Sequence, residues 1–329
     1  SYFCAGAGEA ITVKGCDKAA ILDDPIKKLE DAMSDTILNK TWNWYMSTHR
    51  SRLESGCPEI QIATRWSVRD PIGMLLNSPE AKEWETITIP ALIDGKSFCE
   101  DVKTTEEYLK EKDLLDEFVW EAEYMQNPIE AKGLLFPISE LNRFSIKELH
   151  DMPGTIAYCD TADEGTDHLC SLVAQVKGDN AYITDVIFTQ DPVEVTEPAV
   201  AQQFIDNKVD KSEVESNAGG KSFAKNVDRL IREHNQEILN NKQENTCKTS
   251  VRWKPNTTNK ETRILMKSGQ IKKYFYFRND YKPGSDYDKF MRELTSYIRM
   301  TKNKKDDAPD AVTGLCTMME HKLVAIASL

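Results

Sequence analysis

Four carboxylates in the second half of the chain are spaced for chemistry: Asp160, Glu215, Asp307 and Asp310. Asp160 closes the apolar run "TIAYCD" (155–160), and Glu215 stands at the end of "SEVES" (212–216), so both occupy strand ends. Asp307 and Asp310 are three apart at the start of a helical stretch and share one face. Acids from neighbouring strand ends and a helical pair can converge on one cavity. Gathered carboxylates repel unless cations hold them, and hard oxygen donors suit Mg²⁺ or Mn²⁺. Two such ions about 3.5–4 Å apart can activate water and stabilise the leaving oxygen of a phosphodiester. The competing reading is plainer: strand-end acids are common in loops, and "DDAPD" is an acidic helix start that the helix dipole favours.

The stretch "VESNAGGKSF" (214–223) admits a second chemistry, because Gly-Lys-Ser ends a phosphate-binding loop. That loop, G-x-x-x-x-G-K-[ST], needs a glycine where this chain has Glu215. Glu215 is therefore read as a strand-end ligand, with Gly219-Gly220 turning the chain into the next helix. The other near match, Gly95-Lys96-Ser97, has Pro90 at the first glycine position. In the first half, Asp23-Asp24 follow "AAIL", the pattern of an apolar strand ending in the acids of a nucleotide hydrolase; from the residues alone an unrelated strand end is the stronger reading.

These acids need elements to hold them. "AAILDD" (19–24) and "EIQIATRW" (59–66) read as buried strands, with a helical stretch between them, which predicts a parallel α/β arrangement. A polar segment, 139–154, reads as a linker. Beyond it come three consecutive strands (155–160, 169–176, 180–188), a helix (195–207), a strand (212–216) and a helix (221–234). A strand (249–253) and helices at 259–268, at 285–301 and from Asp306 follow. That is the order of an RNase H-like domain, which by itself says nothing of activity. Trp42, Trp44 and Tyr45, and also Trp84 and Trp120, read as core. His168 reads as structural, although it could approach a metal.

Composition bounds the alternatives. The 329 residues are 40% hydrophobic and 29% charged, as in an ordinary globular protein, and no apolar run is long enough to span a membrane. The start, "SYFCAGAGEA", has no secretory pattern and no initiator Met. The eight cysteines are scattered, without zinc spacing, and read as free thiols. The net charge of −12 is unevenly spread. Residues 1–220 carry 20 Lys and Arg against 41 Asp and Glu, whereas residues 221–305 carry 21 against 9. A basic block beside acidic patches suits a phosphate backbone approaching a metal-binding cluster; a solvated basic face is the alternative.

Taken together, the motifs resemble the large subunit of tailed-phage terminases, the ATPase and nuclease of DNA packaging. "GCDKAAILDDPIK" (15–27) is similar to that family's Walker B region, and "IATRW" (62–66) with Asp70 and Gly73 to its coupling motif. "FVWEAEYMQNPIEAKGLLF" (118–136) resembles the exit from the ATPase domain. "YCDTADEGTDHLC" (158–170), "VESNAGGKSF", "NKETRI" (259–264) and "KKDDAPDAV" (304–312) resemble the nuclease motifs. The resemblance implies residues 1–138 as the C-terminal portion of a P-loop-type ATPase domain and 155–329 as an RNase H-like nuclease of resolvase/integrase type. Asp160, Glu215, Asp307 and Asp310 would be its catalytic metal ligands, with Asp167 an additional acid and two Mg²⁺ or Mn²⁺ ions as cofactors. Asp23 and Asp24 would be the Walker B acids and Thr64-Arg65 the coupling residues. Read from the residues, Lys221 opens the basic block as a DNA contact. Lys260 and Arg263 share a helix face and could touch phosphate, with an exposed salt-bridged pair as an equal reading. No phosphate-binding loop lies in this sequence, so ATP is expected to serve only within a complete ATPase domain. Double-stranded DNA, a small terminase subunit and the procapsid portal are the implied partners, in the host cytoplasm. A non-cutting DNA- or portal-binding fragment and a Holliday-junction-type resolvase are the rival readings.

Overall fold

The computed structural model describes Cys4, Gly6 and residues 15–129, 133–149, 154–161, 167–241, 246–299 and 303–327. The chain divides into two compact units, Ser1–Ala131 and Lys132–Leu329.

In the first unit, β1 (Ala20–Asp23) is followed by the short α1 (Leu29–Ala32), α2 (Asp35–Trp44) and β2 (Glu59–Ile62). The strands pair in parallel, Ile21 opposite Ile60 and Asp23 opposite Ile62, because the intervening helices carry the chain back to its starting edge. Ser34 starts α2 by accepting the Ile37 amide. Leu22 packs with buried Tyr45 and Leu75 against the partly buried Trp42, Trp44 and Trp84, so the aromatic run is core, as its spacing predicts. Next come α3 (Pro71–Leu76), the hairpin β3 (Leu92–Ile93) and β4 (Lys96–Ser97), α4 (Thr105–Lys112) and the short α5 (Glu117–Val119). The Gly95-Lys96-Ser97 near match is thus a hairpin turn and its return strand. A π-helical turn continues α5 over Trp120–Tyr124, and Trp120 is buried.

The second unit is built on one sheet. In chain order its elements are β5 (Asn142–Phe144), β6 (Gly154–Asp160), β7 (Leu169–Lys177), β8 (Asn180–Thr189) and α6 (Val193–Asp206). They continue with β9 (Lys211–Glu215), α7 (Gly220–Asn240), β10 (Ser250–Lys254), α8 (Lys260–Tyr274), β11 (Phe275–Arg278), α9 (Asp286–Ser296) and α10 (Asp307–Ala327). The strands lie in the order β10-β9-β6-β7-β8-β11-β5. The β6-β7-β8 meander is antiparallel, and the remaining neighbours are parallel. The mixed α/β sheet and element order agree with the predicted RNase H-like class. Two expectations change. The division falls between Ala131 and Lys132, upstream of the 139–154 segment read as a linker. Within that segment β5 joins the sheet edge beside β11, with Phe144 buried. A polar composition masks a three-residue strand whose partner lies more than 130 positions away; residues 150–153 lie outside the described residues. Strand β11 likewise has no counterpart among the predicted elements.

Both faces of the central strands are covered, so they read as apolar runs rather than alternating ones. Ala157 and Cys159 of β6 pack with Val200, Ala201 and Phe204 of α6 and Phe223, Ala224 and Val227 of α7. Ile156, Tyr158 and Asp160 point the opposite way, toward α10. There Gly314 permits a close approach: a Cβ on it would come within 2.1 Å of the Tyr158 ring. No helix among the described residues is long and apolar enough to cross a membrane.

Candidate active site

Strands β6 and β9 run parallel, with Cys159 opposite Val214. The next residue of each, Asp160 and Glu215, therefore ends its strand on the same edge of the sheet. Beyond Glu215 the chain must turn at once. Gly219 takes φ 105°, a conformation that side chains disfavour, and Gly220 leaves no room for a Cβ, which would lie 1.9 Å from the Glu215 carbonyl oxygen. The glycine pair thus makes the tight turn that follows the Glu215 carboxylate. The close contact with β6 lays α10 across this edge and delivers Asp310. Asp160, Glu215 and Asp310 each present an oxygen within 4.8 Å of the others.

Glu215 is buried and firmly held. Its Oε2 accepts the Tyr158 hydroxyl at 2.9 Å, and its Oε1 accepts the Asn217 amide at 2.8 Å. Burial, then the charge of Glu215, pushes the Tyr158 hydroxyl well above the ordinary tyrosine range, so it remains a donor. Burial also pushes Asp160 well above the usual carboxylate range, reinforced by the charges of Asp310 and Glu215. Among the described residues Asp160 has no ion pair, whereas Asp310 and Glu215 do. A half-buried carboxylate without a direct ion pair, beside two buried ones, is a donor set suited to a hard divalent ion.

Lys260 and Arg263, one turn apart on α8, lie in this cluster. Asn259 caps the helix by accepting the Thr262 amide. Arg263 donates Nε to Asp310 Oδ1 at 2.7 Å and Nη2 to Asp310 Oδ2, and its Nη2 is 3.4 Å from Glu215. Lys260 Nζ lies 2.6 Å from Asp306, 3.3 Å from Asp310 and 3.7 Å from Asp307. Burial opposes both charges; the surrounding carboxylates, Asp310 foremost, outweigh it and raise both groups above their ordinary values. Lys221, in contrast, is exposed in the first turn of α7.

Asp307 belongs to an adjoining group with His168 and Glu293. The His168 amide donates to Asp307 Oδ2 at 2.9 Å, and Glu293 accepts the Ala308 amide at 3.0 Å. His168 stacks on Phe188 at 4.4 Å. These contacts fasten the start of α10, and burial raises the carboxyls of Asp307 and Glu293 above the usual range. Asp167 is exposed and belongs to neither group; residues 162–166 of the same motif lie outside the described residues. Sequence reasoning missed Tyr158, Asn217 and Glu293. Tyr158 carried a usable signal, since it lies two residues before Asp160 and so on the same strand face.

In the first unit, Asp23 and Asp24 are exposed at the end of β1. Asp24 Oδ1 accepts the Thr64 amide at 3.2 Å. Arg65 makes two Nε contacts to the buried Asp70 carboxylate, which also accepts the Gly73 amide at 2.7 Å to start α3. Asp24, Thr64 and Arg65 line a cavity of about 670 Å³ with Ile62, Trp84 and Ile87. Asp24 and the Thr64-Arg65 pair are therefore neighbours.

Residues 159–271 match the family described as Terminase Bacteriophage T7, Ribonuclease H-like domain. No curated protein matches the chain. Among solved structures, the large terminase of a thermophilic bacteriophage aligns in its crystal form 2 with a TM-score of 0.51 at 10% identity, covering 91% of this chain and 68% of that one. Crystal form 3 of the same terminase gives 0.50 at 11% identity, over 91% and 69%. This likeness concerns the fold. A human cytomegalovirus terminase nuclease domain, Mn-soaked and inhibitor-bound, scores 0.39 at 14% identity over 54% and 88%, too low to bear on the site.

Proposed function

We propose, from the match of residues 159–271 to a terminase ribonuclease H-like domain, that the second unit is a metal-dependent endonuclease of a phage terminase large subunit. It cuts double-stranded DNA during genome packaging. The observation that carries the reading is the convergence of Asp160, Glu215 and Asp310 within 4.8 Å at the carboxyl ends of two parallel strands. These three residues would hold Mg²⁺ or Mn²⁺, with Asp307 adjoining them. Two bound ions would supply a nucleophilic water and neutralise charge on the phosphate. The chain's own part is to fix the donors: Tyr158 and Asn217 orient Glu215, while Glu293 and His168 fasten the helix that carries Asp310. Lys221, exposed in the first turn of α7, would meet phosphates, so binding carries little sequence preference and weakens steeply with salt. The acids of the first unit, Asp23 and Asp24, would serve an ATPase-type segment, with Asp24 beside Thr64-Arg65. The small subunit and portal would be its partners.

The test is plasmid nicking with Mg²⁺, Mn²⁺ or EDTA, comparing the chain with Asp160→Asn. Cleavage that requires metal and disappears in the variant supports the reading. Binding without cleavage under any metal would replace it with a DNA-gripping fragment, and equal cleavage by both proteins would remove Asp160 from the site.

A further inference from the structure

Asp310 is 3% exposed, and both of its oxygens are engaged by Arg263, one of them also by Lys260 at 3.3 Å. A carboxylate held this way has its lone pairs directed at a guanidinium and an ammonium. A divalent ion on the same oxygens would sit a few ångströms from two like charges in a poorly solvated site, where repulsion is strong. Metal and cations therefore compete for Asp310. Asp160 has no such partner among the described residues, which leaves it open to an arriving ion. Helix α8 need not move for the exchange: Ile264 and Leu265 bury its apolar face and Asn259 caps it, while the Lys and Arg side chains swing on flexible stems.

We propose that Lys260 and Arg263 form a built-in counter-ion pair that occupies the carboxylate site until a divalent ion displaces it from Asp310. The proposal rests on the metal-site reading above. It makes the phosphate contacts expected of these two residues conditional on metal, because only a displaced side chain is free to reach DNA.

The experiment is Mn²⁺ titration of the full chain, with free Mn²⁺ read by electron paramagnetic resonance, and melting in EDTA beside it. Arg263→Gln should bind Mn²⁺ about tenfold or more tightly, since a charge-assisted bidentate pair no longer competes. It should also melt earlier in EDTA. Lys260→Gln should shift affinity in the same direction by less, and decides the matter if Arg263→Gln does not fold. Weaker or unchanged Mn²⁺ affinity in these variants, with binding still abolished by Asp160→Asn, overturns the counter-ion pair alone; Arg263 would then be orienting Asp310 for the metal. Absence of Mn²⁺ binding by the parent, or binding indifferent to Asp160→Asn, overturns the metal-site reading and this inference with it.

Discussion

Replacing Gly220 by Ala tests how Glu215 is placed. The new Cβ would stand 1.9 Å from the Glu215 carbonyl oxygen and 2.9 Å from Thr161 Oγ1. Carbon and oxygen ordinarily approach to about 3.3 Å, so the end of β9 and the first turn of α7 must separate by more than an ångström. Overpacking of this kind costs about 1–3 kcal/mol, and the backbone obstacle puts Gly220→Ala near the top, at about 3 kcal/mol. Gly219→Ala is the control. Nothing lies within 4 Å of its Cβ, and only the φ of 105° resists, at about 1–2 kcal/mol. Trp253 is the only tryptophan in the second unit, and it sits opposite Val214, one residue before Glu215. Its resonance in 5-fluorotryptophan-labelled chain, followed through urea, reports this unit separately from the other five. Gly220→Ala should unfold first and Gly219→Ala second, ahead of the parent. Equal midpoints for Gly220→Ala and the parent, or the reverse order of the two variants, would refute the argument that close approach dictates this glycine.

Tyr158→Phe removes the hydroxyl that serves Glu215 but keeps the ring against Gly314, so a loss of about 1.5 kcal/mol is expected; a denaturation midpoint equal to the parent's would count against the bond. Cys4 and Cys99 are exposed, whereas Cys159, Cys170 and Cys316 are buried, and burial pushes the Cys316 thiol up to about 12. A disulfide reagent at about pH 8 should therefore modify the first two quickly and the last three only after denaturation, as peptide mapping would show. Asp280 accepts hydrogen bonds from Arg278, Ser145 and Ile146, and chiefly the Arg278 bond lowers its carboxyl to about 2. Its contribution is present above the unfolded value of about 4 and fades as pH falls toward about 2. Asp280→Asn should cost at most about 1 kcal/mol at about pH 7, with melting curves that merge with the parent's as the acid limit is reached.

Strands β6 to β8 are legible because long apolar runs end in turn residues, and three of the candidate acids announce themselves by standing at element ends. What escapes is short or depends on distant partners. Strand β11 follows α8 through "KKYFYFR" with no glycine or proline between them, and a few residues of alternation cannot outweigh the preceding helical pattern. Strand β5 exists only because β11 offers an edge. Spacing puts Lys260 and Arg263 on one helix face, as phosphate contacts or as members of ion pairs, but it cannot reveal that α8 aims Arg263 at acids 47 and 48 positions away. The same limit applies to Glu293, whose role at the start of α10 is set entirely by tertiary packing.

The strand order also has a temporal consequence. Strand β5 is made early in the second unit, yet its partner β11 is made more than 130 residues later, and α10 follows after that. Contacts so distant in sequence close slowly, and a ribosome releases them last. An unfinished polypeptide possesses Asp160 and Glu215 but not Asp310, and has both Lys260 and Arg263 only once translation has passed Arg263. The acid cluster and its counter-charges are therefore made in a fixed sequence, Lys260 and Arg263 before Asp310, so the last acid of the cluster joins a chain that already carries both.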